Sequence, residues 1–346
     1  HVADAASVIQ PGTRADESAR DQGATLYLPE GAITMLDQHV TDYLALGLQE
    51  ISPALSFGVE LSDDGDIQLA EICRSLIRVE RLSYKDAHEK LDEEPLKGLY
   101  QRLQNYQRRR MEQGCIDLSL PEVKIHADRE LGVSVKKIST YDSQILVRNA
   151  MILAGEAAAW FAQKHAIAFP YTMQLSPDTS ASPPEDLAGM YGFVRKMRPS
   201  EIRMTPDTHA GLGVPYYSRV TSPLRRYLDL LAHQQLRSYL KGEKLIDGED
   251  LAFRAAAAAE SARRAQQMER AANVHWKLVF LSEHPEWKGE AVVISLRKQG
   301  AQAVIPELAF EIELPGVKDV SLNDVFRVEI QSVDIPYSRA FFRIIS

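Results

Sequence analysis

The segment YSRVTSPLRRY, residues 217–227, carries the densest chemistry in the chain. Thr221 or Ser222 can cap a helix whose first position is Pro223, where a missing N–H costs nothing, so a helix is predicted over Leu224–Leu240. Arg225 and Arg226 then fall in its first turn. Cations there oppose the helix dipole, so two adjacent arginines are unfavourable unless an anion is held nearby, and phosphate is the natural one. The spacing leaves equal room for a salt bridge from Arg225 to Asp229, or from Arg226 to another carboxylate.

Outward from this segment, an alanine-rich helix is predicted from about Glu249 to about Leu278. It carries Glu260 with Arg263 and Arg264 at helical spacing. Glu269, on the same helix, has only Ala265, Gln266, Ala272 and Asn273 three and four residues away, so its partner is solvent or a distant group. Tyr27 (TLYLPEG) and Tyr84 (LSYKDAH) sit in mixed surroundings. Local pattern favours core tyrosines, with base stacking as the functional alternative. Arg108, Arg109 and Arg110 end a polar helical stretch from Tyr84 to Gln113, where a solvated helix end is favoured over a phosphate-contacting patch.

Phe57, Val59 and Leu61 alternate with polar residues, Asp64-Gly65 turns the chain, and Ile67 and Leu69 resume the alternation, which predicts a β-hairpin. Asp63, Asp64 and Asp66 are then turn residues, not a metal site. Ile145–His165 reads as a helix buried on one face. Leu175–Glu185 reads as a loop, and Gly211 and Gly213 as a turn. After Pro285 the pattern changes to short strands, with Gln299-Gly300 as a turn signal, which suits a small OB-type barrel.

Composition narrows the function classes. The 346 residues are 45% hydrophobic and 25% charged, which suits about two globular domains. Forty Lys and Arg against forty-eight Asp and Glu leave a net charge of −8, so any nucleic-acid partner requires a local basic groove. No apolar run approaches the ~20 residues of a membrane span, so no membrane partner is expected. Cys73 and Cys115 are far apart and outside any CxxC, which fits a reducing cytoplasm. GxxxxGK[ST], GxSxG and HExxH motifs are absent, which argues against a nucleotide cofactor, an esterase or a zinc protease. His1-Val2-Ala3-Asp4 lacks both an initiator methionine and a signal-peptide pattern, and is expected to be the interior of a longer chain.

Taken together, HVADAASVI at the start, the run from Asp16 through Gly23–Pro29 to Met35-Leu36, GCIDLSLPEVKI at 114–125 and Tyr217–His233 resemble the ribonuclease II and ribonuclease R (RNB) family of 3′-to-5′ exoribonucleases. The likeness covers nearly the whole chain, and TSPLRRY is its most specific part. It implies an α/β (α+β) RNB-type catalytic domain over residues 1–280. A small all-β OB-fold RNA-binding barrel of the ribosomal S1 type is implied over 286–346, with Lys288, Arg297, Lys298 and Arg327 as undecided surface cations. The implied activity is Mg²⁺-dependent hydrolysis of single-stranded RNA to nucleoside 5′-monophosphates, with little sequence specificity.

By the same resemblance, Tyr27 stacks on the terminal base at the closed end of a channel and Tyr84 contacts the scissile phosphate region. Arg225 neutralises that phosphate, and Glu269 holds the Arg225 side chain. Arg226, Tyr217 and Leu118 complete the implied substrate contacts, with Leu118 where some relatives place a phenylalanine, so that stacking is one-sided. The family's Mg²⁺ site is an aspartate cluster, D-x5-D-x-D-D, lying shortly before the segment that matches His1–Ile9. That cluster is not in this sequence, and Asp4 and Asp16 match other acidic positions. A non-catalytic RNA-binding relative is therefore the alternative.

Overall fold

A computed structural model describes residues 1–179 and 182–345. All paired strands are antiparallel, so the architecture is α+β. The predicted hairpin is present: Ser52–Leu61 pairs with Ile67–Ile77, Val59 opposite Ala70 and Leu61 opposite Ile67, and Val2–Ala3 adds a third strand. Gly65 takes φ +85° at the turn, and a Cβ there would lie 2.9 Å from the Tyr106 Cα, so both conformation and space call for glycine.

Three helices make the centre of the larger body. Asp142–Lys164 buries Ala158, Ala159 and Phe161 against Phe169, Ala232 and Leu236. At 23 residues it is long and apolar enough to pass as a membrane span, which corrects the reading that no such segment exists; its burial accounts for its apolarity. Tyr227–Lys241 puts Leu230 and Leu231 into a second cluster, with Leu251, Ala255 and Ala258 of the long helix Gly248–Glu283. Each fully buried leucine contributes about 1.5–3 kcal/mol. The Leu175–Glu185 stretch has no regular structure where described, and residues 180 and 181 lie outside the described residues.

The long helix passes from one core to another. Its end places Phe280 and Leu281 among Ala291, Ala303, Ile312 and Val328, the interior of a five-stranded barrel. The strands Lys288–Arg297, Gly300–Ile305, Phe310–Pro315, Val325–Asp334 and Arg339–Ile344 follow, and the edge strands Phe310–Pro315 and Arg339–Ile344 come into contact, nearly closing the sheet as in an OB fold.

Two local expectations are corrected. The helix after TSPLRRY begins at Tyr227, three residues late, because Pro223–Arg225 form a turn and Arg226 is extended at φ −141°, ψ 123°. Arg109 and Arg110 are buried at the end of Leu96–Glu112, not solvated, and not a phosphate patch. Arg109 forks onto both Glu156 oxygens at 2.7 and 2.8 Å, Tyr106 OH donates to the same carboxylate at 2.7 Å, and Arg110 donates to Asn149 Oδ1 at 2.6 Å.

Candidate active site

Gly23 starts the site. It closes the helix Arg14–Gln22 at φ +75°, and a Cβ would sit 2.6 Å from the Ala262 nitrogen, so the chain there lies directly on the long helix. The next residues run beside TSPLRRY: Tyr227 N–H donates to Gly23 O at 2.9 Å, Thr25 N–H donates to Arg225 O at 3.0 Å, and Ala24 bridges Arg226. Tyr27, at the centre of the strand Leu26–Leu28, donates its backbone N–H to Glu269 Oε1 at 2.7 Å. One short strand is thereby held between the arginine segment and the long helix.

The three pieces enclose an open cleft of about 560 Å³, lined by Tyr27, Arg219, Arg225, Arg226, Gln266 and Glu269, among others. Tyr27 is 50% exposed and Tyr84 48%, so neither is the core tyrosine that local pattern favours. Arg226 donates to the fully buried Asp229 at 2.6 Å, and Asp229 also accepts the Ser222 N–H at 2.8 Å. Burial pulls the Arg226 pKa down, but the Asp229 charge and hydrogen bond outweigh it and the net shift is upward. Of the two salt bridges weighed from spacing, Asp229 is thus taken by Arg226, not by Arg225.

Arg225 is exposed, and its side chain makes no hydrogen bond or ion pair among the described residues. Glu269 shares the cleft with it, but the carboxylate grips the Tyr27 backbone and forms no ion pair with Arg225 within 4.0 Å. Of the two partners weighed for Glu269, the structure therefore supplies a distant group, the Tyr27 backbone.

Three expected residues stand outside the cleft wall. Tyr84 opens the short helix Tyr84–Glu89, where its carbonyl accepts the Ser143 hydroxyl at 2.5 Å. Leu118 is half-buried in a segment without regular secondary structure. The Tyr217 ring packs onto Gly155 and lies edge-on to His209 at 5.7 Å, in surroundings whose burial raises its pKa. A larger cavity, about 990 Å³ between the 113–119 and 208–215 segments, has none of the expected residues in its wall.

Sequence reasoning missed Arg219. Its only sequence signal is membership of the same segment, between Ser218 and Val220, both fully buried. It reaches the cleft with no hydrogen-bonded or ion-paired partner among the described residues.

The family's metal does not fit the described residues. They contain no group of three or more His, Cys, Asp or Glu that could hold an ion. Asp4 is ion-paired with Arg237, while Asp16 accepts from Arg254 at 2.7 Å, Gln234 at 2.9 Å and Tyr227 OH at 3.0 Å. Asp16 is thus saturated by protein donors, and Asp4 keeps one buried oxygen without a partner but has no second acid grouped with it among the described residues. What the cleft offers is unpaired guanidinium forks, matched to the paired oxygens of phosphate, beside an exposed aromatic ring.

The architecture is thus an α+β body with an arginine-lined cleft, tied by one helix to an OB-like barrel. The sequence matches the RNB domain family over residues 1–188 and 183–242, and the chain belongs to that family. It is 34% identical, over 96% of its length, to 53% of an uncharacterized ribonuclease of Synechocystis sp.. It is 33% identical, over 70% of its length, to 32% of the chloroplastic/mitochondrial ribonuclease II of Arabidopsis thaliana. Mycoplasma genitalium RNase R, solved in complex with ribose-methylated single-stranded RNA, shares the fold at TM-score 0.84 and 18% identity, over 99% of this chain and 66% of that one. The chain thus spans about half the length, or less, of these curated relatives.

Proposed function

We propose that this protein is a 3′-to-5′ exoribonuclease that takes single-stranded RNA into the arginine cleft and releases nucleoside 5′-monophosphates with little regard to sequence. The observation that carries the proposal is the meeting of exposed Tyr27, unpaired Arg225 and Glu269 in one cleft. Support comes from the ribonuclease names of its relatives and from the RNA held by the M. genitalium protein of the same fold.

In this reading the Tyr27 ring stacks on the terminal base, which every base tolerates because each has a π-face. Glu269, by holding the Tyr27 N–H, sets the height of that ring over the long helix. Arg225 closes bidentately on the phosphate and offsets charge developing on its non-bridging oxygens. The two free cysteines are consistent with a cytoplasmic setting, which is part of the same proposal.

A second reading, RNA binding without hydrolysis, is favoured by the lack of a metal-holding group among the described residues. The test follows a 5′-labelled single-stranded RNA with and without Mg²⁺. Metal-dependent shortening from the 3′ end supports the enzyme, and retained but uncut RNA supports the second reading. RNA neither bound nor cut overturns both. For Arg225→Ala the expected outcome is a fall in turnover of about 10²–10³-fold with RNA still bound. Undiminished turnover would remove Arg225 from the mechanism.

A further inference from the structure

We propose that Arg219 is a second phosphate-holding residue of the cleft, gripping an RNA backbone phosphate other than the one assigned to Arg225. The inference rests on the RNA reading above and adds to it a residue and a charge count.

Four arginines line the cleft, and they are not equivalent; Arg263 is ion-paired with Glu260 on its own helix. Arg226 is spoken for by Asp229 at 2.6 Å. Arg219 and Arg225 have no hydrogen-bonded or ion-paired partner among the described residues. The remaining carboxylate, Glu269, is engaged by the Tyr27 N–H and makes no ion pair within 4.0 Å with either.

Arg219 is also the more enclosed of the two, partly buried where Arg225 is exposed. The groups acting on it give little relief. Arg226 is a like charge, Tyr217 is a phenol whose pKa burial raises, and His209 is a buried ring held neutral by a pKa near 4. Asp229 attracts Arg219 from beyond ion-pair distance, with one oxygen already committed. Burial and Arg226 together lower the Arg219 pKa, the signature of a cation without a counter-ion.

An unpaired guanidinium held in a partly dry site is costly unless a ligand supplies the anion. One phosphodiester brings one negative charge and one pair of non-bridging oxygens, which a single arginine fork saturates. Two unmatched forks therefore call for two phosphates, and adjacent nucleotides of one strand supply them.

The experiment uses the 346-residue chain, a fluorescent ten-nucleotide oligouridylate in EDTA, and affinity measured by anisotropy from about 50 to about 200 mM salt. Arg219→Met is expected to weaken binding about ten- to a hundredfold and to reduce the slope of log affinity on log salt by about 0.7, the value for one lost phosphate contact on a single strand. Arg225→Met gives a comparable loss of slope, and the double variant about twice that. Arg219→Lys restores the slope, since the charge returns. Without RNA, the thermal midpoint of Arg219→Met is unchanged or raised, because a poorly compensated cation is gone.

An unchanged slope in Arg219→Met, alongside a reduced one in Arg225→Met, overturns the role of Arg219 and leaves the RNA reading standing. A lowered midpoint with wild-type slope makes Arg219 a structural residue and overturns it as well. If the unaltered chain shows no salt-dependent RNA binding, the RNA reading itself falls and this inference with it.

Discussion

At the residue scale, similar side chains reach opposite fates through their partners. Arg109 is nearly fully buried but its charge is compensated, because Glu156 accepts two of its hydrogen bonds and Tyr106 lies 5.1 Å from its guanidinium, with only Nε left without a partner among the described residues. His209 shows the converse: no described group satisfies its Nδ1, and burial pushes its pKa down from 6.5 to about 4. With the folded value below the unfolded one, the unfolded chain binds more protons between these pH values. The stability linked to His209 is fully present above about pH 6.5 and is lost as pH falls toward 4. The loss amounts to roughly 3 kcal/mol for a shift of this size. Urea titrations across that window should show a flatter pH dependence for His209→Asn than for the unaltered protein, with buried His233 contributing what remains. Equal slopes would mean that His209 is protonated in the folded state.

At the element scale, the arginine segment owes its position to a small residue on a neighbouring helix. Gly155 lies inside Asp142–Lys164, where alanine would favour the helix by about 1 kcal/mol. The Ser218 carbonyl, however, would stand only 2.6 Å from an added Cβ, and the Tyr217 ring closer still. Ser218 also donates its N–H to Gly155 O at 3.2 Å, so the two backbones are tied where they touch. Overpacking against such neighbours costs about 1–3 kcal/mol, which outweighs the propensity gain. Gly155→Ala should therefore destabilise the fold by up to about 2 kcal/mol in chemical denaturation, the difference between these two effects. A stabilised variant would show that the 217–218 backbone moves aside freely. The same dependence on neighbours explains the late start of the Tyr227 helix, because Arg226 pairs with Ala24 in extended form instead of entering the first turn.

At the scale of the whole molecule, one helix belongs to two cores. Leu251, Ala255 and Ala258 pack with Leu230 and Leu231, and some forty ångströms along the same helix, at 1.5 Å per residue, Leu281 packs inside the barrel. Leu281→Ala should cost about 2–5 kcal/mol as a core truncation. Hydrogen exchange should quicken in the strands Lys288–Arg297 and Val325–Asp334 while protection at Leu230 and Leu231 is kept. Equal quickening in both places would show that the helix makes body and barrel one cooperative unit.

What the sequence by itself determined is local or patterned. The hairpin around Asp64-Gly65, the long alanine-rich helix, the closing barrel and the TSPLRRY segment were all legible, because turn chemistry and periodicity are properties of neighbouring residues. The partners were not legible. Glu269 meets Tyr27 across 242 positions and Arg109 meets Glu156 across 47, and nothing in the spacing around either acid encodes the other end. Only the tertiary structure decided which of three arginines in one eleven-residue segment is neutralised and which two face the cleft unpaired. That distinction depends on where Asp229 and Glu269 point once distant elements pack, and charge compensation acts through distance in space, not along the chain.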